Sequence, residues 1–208
     1  MDYLTLALGK GRTAIQAIDL LSQAGIQFED FHPKSRKLIF YDHTMGIKMV
    51  YVKAIDVPTY VDTGAADLGI AGKDNIQESN SNLYDMMDLK LGACQFVVAG
   101  VDKQTYTEKQ KLTVASKYPR IASSFFQKKG KQIQTIKLNG SVELAPLIGM
   151  ADVIVDIMET GTTLKENGLS VFETIDQIST RLIVNKASFA TKSTRIHDIL
   201  NRLRNVLG

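Results

Sequence analysis

The chain has 208 residues, a net charge of +3 and 44% hydrophobic residues, and that charge is too small to argue for a nucleic-acid partner. Its one cysteine, Cys94, excludes an internal disulfide and suits a reducing compartment, and no apolar run approaches the ~18 residues of a membrane span. Met1-Asp2-Tyr3-Leu4 lacks the basic stretch that opens a signal peptide, so a cytoplasmic location with no membrane association is the expectation.

Tyr3 to Leu8 reads as a short apolar strand ending in the turn Gly9-Lys10-Gly11-Arg12. A helix is predicted from Thr13, with Thr13 and Gln16 as a capping box and Gly25 as its stop. Lys10 and Arg12 then stand where an anion would bind; a solvated basic turn is the plainer alternative. Phe31 to Lys37 is polar and contains Ser35-Arg36-Lys37. Leu38–Tyr41 and Ile47–Val52 read as a hairpin, followed at once by Lys53. Asp56 and Pro58 start a helix that runs to Gly64. Residues 66–74 form the next strand and its exit loop, which holds Asp74, and Asn75 to Leu83 is predicted helical.

Leu89 to Val101 is a long apolar run in which Cys94 reads as a small core residue. Thr105 to Lys111 is polar and reads as a surface connection. Leu112–Ser116 is a strand, and the helix after Pro119 turns Ile121, Phe125 and Phe126 inward and ends at Gly130. Ile133–Leu138 is a strand and Asn139-Gly140 a turn. Ser141 to Met150 then reads as a helix capped by Ser141, with Glu143 in its first turn and a bend at Pro146.

The stretch Asp152 to Leu164 carries the sharpest signal. Val153, Ile154, Val155 and Ile157 suit a buried strand. Gly161 lets a backbone approach a ligand, and Thr160, Thr162 and Thr163 offer hydroxyls. A helix starting near Leu164 would aim free N–H groups into the loop, which makes a phosphate cradle. Asp156 and Glu159 would repel the phosphate itself, so ribose hydroxyls are their natural partners, and a ribose 5-phosphate satisfies both halves. A plain strand–turn–helix with a threonine N-cap also fits the pattern. Neither a Walker loop nor a dinucleotide fingerprint occurs.

Leu169–Ile175 and Arg181–Val184 read as strands, and an amphipathic helix with Ile196, Ile199, Leu200, Leu203 and Val206 follows. His32, His43 and His197 have no metal-ligand spacing, so no protein-held metal is expected. Alternating strands and helices argue for an α/β fold with largely parallel sheets, arranged as two lobes with a cleft.

Four stretches in order resemble the catalytic subunit of the ATP phosphoribosyltransferase family. They are Ala7 to Arg12, Asp56 to Asp74, Gly140 to Pro146 and Asp152 to Gly168, with the strand Arg181 to Asn185 behind them. The resemblance implies transfer of the 5-phosphoribosyl group of phosphoribosyl pyrophosphate to N1 of ATP, with Mg²⁺ on the polyphosphate. It implies two lobes like those of type II periplasmic binding proteins, residues 1–90 with 179–208 and residues 91–178, and an active site in the cleft. Asp156, Glu159, Thr160, Gly161, Thr162, Thr163 and Leu164 would hold phosphoribosyl pyrophosphate. Arg12 and Arg36 would stabilise the departing pyrophosphate, with Lys10 a polyphosphate contact. Gly9, Gly11, Lys53, Asp74 and Glu143 are candidates for the ATP side of the cleft. The family often has arginine where this chain has Lys53, and Glu143 either faces the cleft or only complements a helix dipole. The length resembles the family's short form, which works in a hetero-octamer with a regulatory subunit resembling histidyl-tRNA synthetase.

Overall fold

Alternation along the first strand decides which side of its sheet each helix covers. The computed structural model describes residues 3–208; Met1 and Asp2, where the reading of the N-terminus begins, lie outside the described residues. In chain order the first elements are β1 (Leu4–Lys10), α1 (Arg12–Gln23), β2 (Ile39–Asp42), β3 (Ile47–Lys53), α2 (Val57–Asp62), β4 (Leu68–Gly72), α3 (Lys73–Ser79) and β5 (Leu83–Asp88). There follow β6 (Cys94–Gly100), α4 (Lys103–Glu108), β7 (Lys111–Ser116), α5 (Pro119–Lys128), β8 (Gln132–Lys137), α6 (Leu144–Leu147), β9 (Val153–Met158), α7 (Thr162–Glu166) and β10 (Ser170–Ile178). The chain closes with β11 (Thr180–Asn185), α8 (Lys186–Thr191) and α9 (Ser193–Leu207). Two units result, one up to Gly92 together with Ser179–Gly208, the other Ala93–Ile178, so the first boundary sits at 92 rather than 90.

In the first unit the sheet order is β2-β3-β1-β4-β11-β5. Leu4, Leu6 and Leu8 of β1 point into a core shared with Ala14, Ala17 and Leu21 of α1 and Ile196, Ile199, Leu200 and Leu203 of α9. Ala7 points the other way, to Val57 and Val61 of α2. Leu182, Ile183 and Val184 of β11 are fully buried and serve both faces, each worth roughly 2 kcal/mol of apolar burial.

In the second unit the order is β10-β6-β9-β7-β8. Phe96, Val98, Val114, Val153 and Val155 face Tyr106 of α4 and Ile121, Ala122 and Phe126 of α5. Val97, Ala99, Ala115 and Ile154 face Val142, Ala145 of α6 and Leu164 of α7. Both sheets are mixed rather than largely parallel. In the first sheet the parallel trio β3-β1-β4 has antiparallel strands on both sides, whereas in the second the parallel trio β9-β7-β8 runs to one edge and the antiparallel β6 and β10 lie on its other side. No helix among the described residues is long and apolar enough to cross a membrane.

Several expected boundaries move. The Thr13–Gln16 capping box does not form: α1 begins at Arg12 behind Gly11, whose φ of 146° makes a glycine N-cap without a side-chain bond. The helix expected over Asn75–Leu83 stops at Ser79 because Asn80 turns left-handed, and Leu83 opens β5 instead. The polar stretch after Val101 is not a plain connection but holds α4. Asp102 caps it by accepting from the amides of Gln104 at 2.9 Å and Thr105 at 3.3 Å, and Tyr106 is buried. The expected helix over Ser141–Met150 shrinks to Leu144–Leu147, since Ser141 takes φ +48° and Pro146 has no N–H to continue a ladder.

The start of β4 is anchored by a buried carboxylate. Asp67 accepts from the Thr5 amide at 2.8 Å, the Ser188 hydroxyl at 2.6 Å and Lys192 Nζ at 2.9 Å. Burial alone would raise its pKa, but the bonds from Ser188, Thr5 and Lys192, with the Lys192 charge, outweigh it and hold the carboxyl below the usual range. The stability it adds is present above the unfolded aspartate pKa of about 3.9 and is lost as pH falls through the lower folded value. Asp67→Ala is expected to cost about 3 kcal/mol at pH 7, measured by urea unfolding, with the gap to wild type closing below about pH 4. A gap that stays constant down to pH 2 would contradict this account.

Candidate active site

Within each unit the sequence-flagged residues other than Arg36 gather where parallel strands end. This is the edge at which open α/β sheets bind ligands, because diverging connections leave backbone groups and loops facing outward there.

In the first unit, β1 and β3 run parallel in register, with Gly9 beside Val52 and Lys10 beside Lys53. Register partners point to the same face, so two exposed lysines stand side by side at the strand ends. Like charges so placed repel, and a polyanion relieves the repulsion. Lys10 Nζ also lies 5.3 Å from the centroid of the Tyr51 ring; Tyr51 is buried, which pushes its hydroxyl pKa up. Arg12 is the first residue of α1, two positions beyond Lys10. The turn is tight because a Cβ on Gly9 would lie 2.8 Å from Ala54 Cα. Gly9 therefore lets the segment after Lys53 pack directly on the end of β1. Asp74, 7% exposed, sits in the first turn of α3 just past β4. A Cβ on Gly72 would lie 2.1 Å from Asp74 Oδ1, so this carboxylate folds back over its own strand end. Arg36 is elsewhere, on the exposed irregular segment between α1 and β2.

In the second unit, β9 delivers Asp156 and then the loop. Ile154 faces the core shared with α6 and α7, and Asp156, two residues on, points the same way. It is half-buried, and its Oδ1 accepts from the Ile157 amide at 2.8 Å. Glu159, Thr160, Thr162 and Thr163 are exposed, whereas Leu164 is buried and pins α7 to the sheet. That helix starts at Thr162, two residues before the expected Leu164, and its N-cap is Gly161 at φ +79° rather than a threonine. Left-handed backbone there favours glycine, and an added Cβ would also lie 3.1 Å from Met158 Sδ. The Thr160 and Thr162 hydroxyls are 3.1 Å apart. A depression of about 590 Å³ is lined by Thr160, Gly161, Thr162, Lys165 and Glu166. First-turn amides have no partner within their own helix, so loop N–H groups, hydroxyls and the Lys165 ammonium can all address one phosphate. Lys165 escaped the sequence reading; its cue was a cation three residues after Thr162, one turn along the helix. Glu143 is half-buried at the N-cap of α6, on the loop that leaves β8. Among the described residues, no group of three His, Cys, Asp or Glu side chains is arranged to hold a metal.

A hydroxyl-rich glycine loop and a strand end with paired lysines define an α/β protein equipped for phosphorylated ligands. Comparison with known proteins narrows that class. The HisG family profile, described as ATP phosphoribosyltransferase, matches residues 53–205. An ATP phosphoribosyltransferase of Oceanobacillus iheyensis is 52% identical over 208 residues, with both chains covered completely. Among solved structures, the ATP phosphoribosyl transferase (HisG:HisZ) complex from Thermotoga maritima aligns with a TM-score of 0.86 at 33% identity, over 98% of each chain. The VFT2 domain of Bordetella pertussis BvgS aligns with a TM-score of 0.57 at 11% identity, over 99% of this chain and 92% of that one, and shares the fold alone. The chain belongs to the ATP phosphoribosyltransferase (HisG) family.

The close approach at Gly9 is directly testable. Gly9→Ala sets a methyl against backbone that cannot swing aside, and about 1–3 kcal/mol of lost stability is expected. Urea denaturation measures it, and an unchanged midpoint would show that Ala54 yields.

Proposed function

We propose that the chain transfers the 5-phosphoribosyl group of phosphoribosyl pyrophosphate to N1 of ATP, giving N1-(5-phosphoribosyl)-ATP and pyrophosphate, the first step of histidine biosynthesis. The observation that carries the assignment to these residues is the β9–α7 junction, which sets Asp156 on the same strand end as a glycine and three threonines. The 5-phosphate takes the amides and hydroxyls of Thr160 to Thr163, and Lys165 adds charge. Asp156 and Glu159 accept from the ribose hydroxyls.

The chemistry needs electrostatics more than acid–base groups. As the C1–O bond to pyrophosphate breaks, C1 becomes cation-like and negative charge builds on the leaving group. Preorganised cations stabilise that charge where it develops. Lys10, Arg12 and Lys53 supply them, Arg36 is a further candidate, and Mg²⁺ arrives on the polyphosphate as part of the substrate. Adenine N1 attacks with its own lone pair, so the enzyme's task is to hold N1 in line with C1. Gly9, Gly11, Asp74 and Glu143 are assigned to the ATP side. A lysine at position 53 keeps charge but lacks the arginine fork.

The Thermotoga maritima relative is a complex of HisG with HisZ. By that likeness this chain works with a HisZ-type regulatory subunit; assembly into a hetero-octamer is what its resemblance to the family's short form implies. Phosphoribosyl pyrophosphate and ATP are phosphorylated metabolites retained in the cytoplasm, which is where the enzyme is placed.

Ultraviolet absorbance follows the reaction, because ribosylation at N1 changes the adenine chromophore. The assay holds ATP, phosphoribosyl pyrophosphate, Mg²⁺ and pyrophosphatase, with and without the HisZ-type subunit. Product is expected with the partner present. Asp156→Ala and Arg12→Ala are each expected to lower turnover by about 10²-fold or more. Near-wild-type rates from folded variants would remove these residues from the site, and no product from the folded complex would refute the activity.

A further inference from the structure

We propose that Ser116 is a positioning residue that sets the place of Asp156 and the phosphoribosyl loop; the proposal rests on the function assigned to that loop above. The reason lies in where two strands part. β7 and β9 pair in parallel only through Val114 with Val153, Ala115 with Ile154 and Ser116 with Val155. Beyond Ser116 the chain turns away through Lys117 and Tyr118 into α5. β9 goes on for three more residues, and there its ladder is with β6 alone, Asp156 beside Val97, Ile157 beside Phe96 and Met158 beside Gln95. Asp156 is therefore the first residue of β9 past the end of its β7 pairing.

At that parting the Ser116 side chain takes over from the backbone ladder. Its hydroxyl donates to the Val155 carbonyl at 2.6 Å and accepts from the Tyr118 amide at 2.8 Å. Ser116 is 0% exposed, so the two bonds are shielded from bulk solvent. Its own carbonyl accepts from the Leu138 amide at 3.0 Å, where β8 gives way to the loop that carries Glu143. One buried residue thus ties the exits of β7, β8 and β9 and the start of α5. Without the hydroxyl, the Val155 carbonyl loses that bond and the last residues of β9 are paired with β6 alone. Misplacement of a bound group by a fraction of an ångström is costly when the reaction depends on alignment.

The competing account is that Ser116 merely caps α5 through Tyr118. Substrate-resolved kinetics of the complex with its regulatory subunit separates the two. For Ser116→Ala we expect KM for phosphoribosyl pyrophosphate to rise about tenfold while KM for ATP stays within about twofold. Calorimetric binding of phosphoribosyl pyrophosphate should weaken in parallel. Ser116→Thr keeps the hydroxyl and should return both values close to wild type. If the alanine chain does not fold, Ser116→Cys, a weaker donor with a somewhat larger atom, takes its place. A fall in melting temperature with both KM values unmoved, or an equal rise in both, would overturn the proposal. Wild-type turnover in the same assay judges the enzymatic reading by itself, so the two can fail separately.

Discussion

Parallel pairing is the constraint on which the rest of this structure depends. Strands that run the same way finish at the same edge, so the residues that follow them become neighbours however far apart they lie in sequence. Lys10 and Lys53 meet because β1 and β3 run in parallel and in register. In the second unit, Ser116, the Leu138–Glu143 loop and Asp156 share an edge because β7, β8 and β9 run in parallel. An antiparallel arrangement of the same segments would send half of these groups to the opposite rim. The flanking antiparallel strands leave that edge undisturbed, and the helices on each face hold it rigid through buried aliphatic layers.

Charge is distributed between the two units in an uneven way. The first contributes two neighbouring lysines and an arginine at strand and helix ends, and one carboxylate, Asp74, that is buried and folded back on its own turn. The second contributes neutral hydroxyls and amides, with Asp156 and Glu159 beside them and Lys165 on α7. Under the proposed function, carboxylates that would repel a phosphate accept from sugar hydroxyls, and Lys165 offsets part of their charge. Binding a phosphosugar and stabilising a departing polyphosphate are different electrostatic tasks, and the roles proposed above divide the residues accordingly.

Much of this was legible in the sequence. The β-branched run into a glycine–threonine loop marked the β9–α7 junction, and two glycines around Lys10 and Arg12 marked the end of β1, because small residues and punctuated hydrophobic runs are local signals. What stayed hidden depended on partners distant in the chain. Tyr106 lies in a polar stretch, yet it is buried: its hydroxyl donates to Glu173 at 2.6 Å, and Lys129 and Lys131 pack around the pair. No window of residues near 106 contains Glu173. Thr13 and Gln16 spelled a capping box, but the backbone at Gly11 had already started the helix. Ser116 showed nothing in sequence beyond a serine at a strand end; its role comes from where β7 and β9 separate.

The position of β11 has a consequence for how the protein is made. This strand lies between β4 and β5 in the first sheet, and its residues reach the ribosome exit only after all of Ala93–Ile178. Until it emerges, β4 and β5 lack the strand that joins them, and the core of the first sheet lacks Leu182 and Val184 as well as α9. The second unit is one uninterrupted segment and has no such wait. Domains tend to fold as units as they appear during synthesis, so the inserted unit is complete first, and the unit that begins the chain is the last to close.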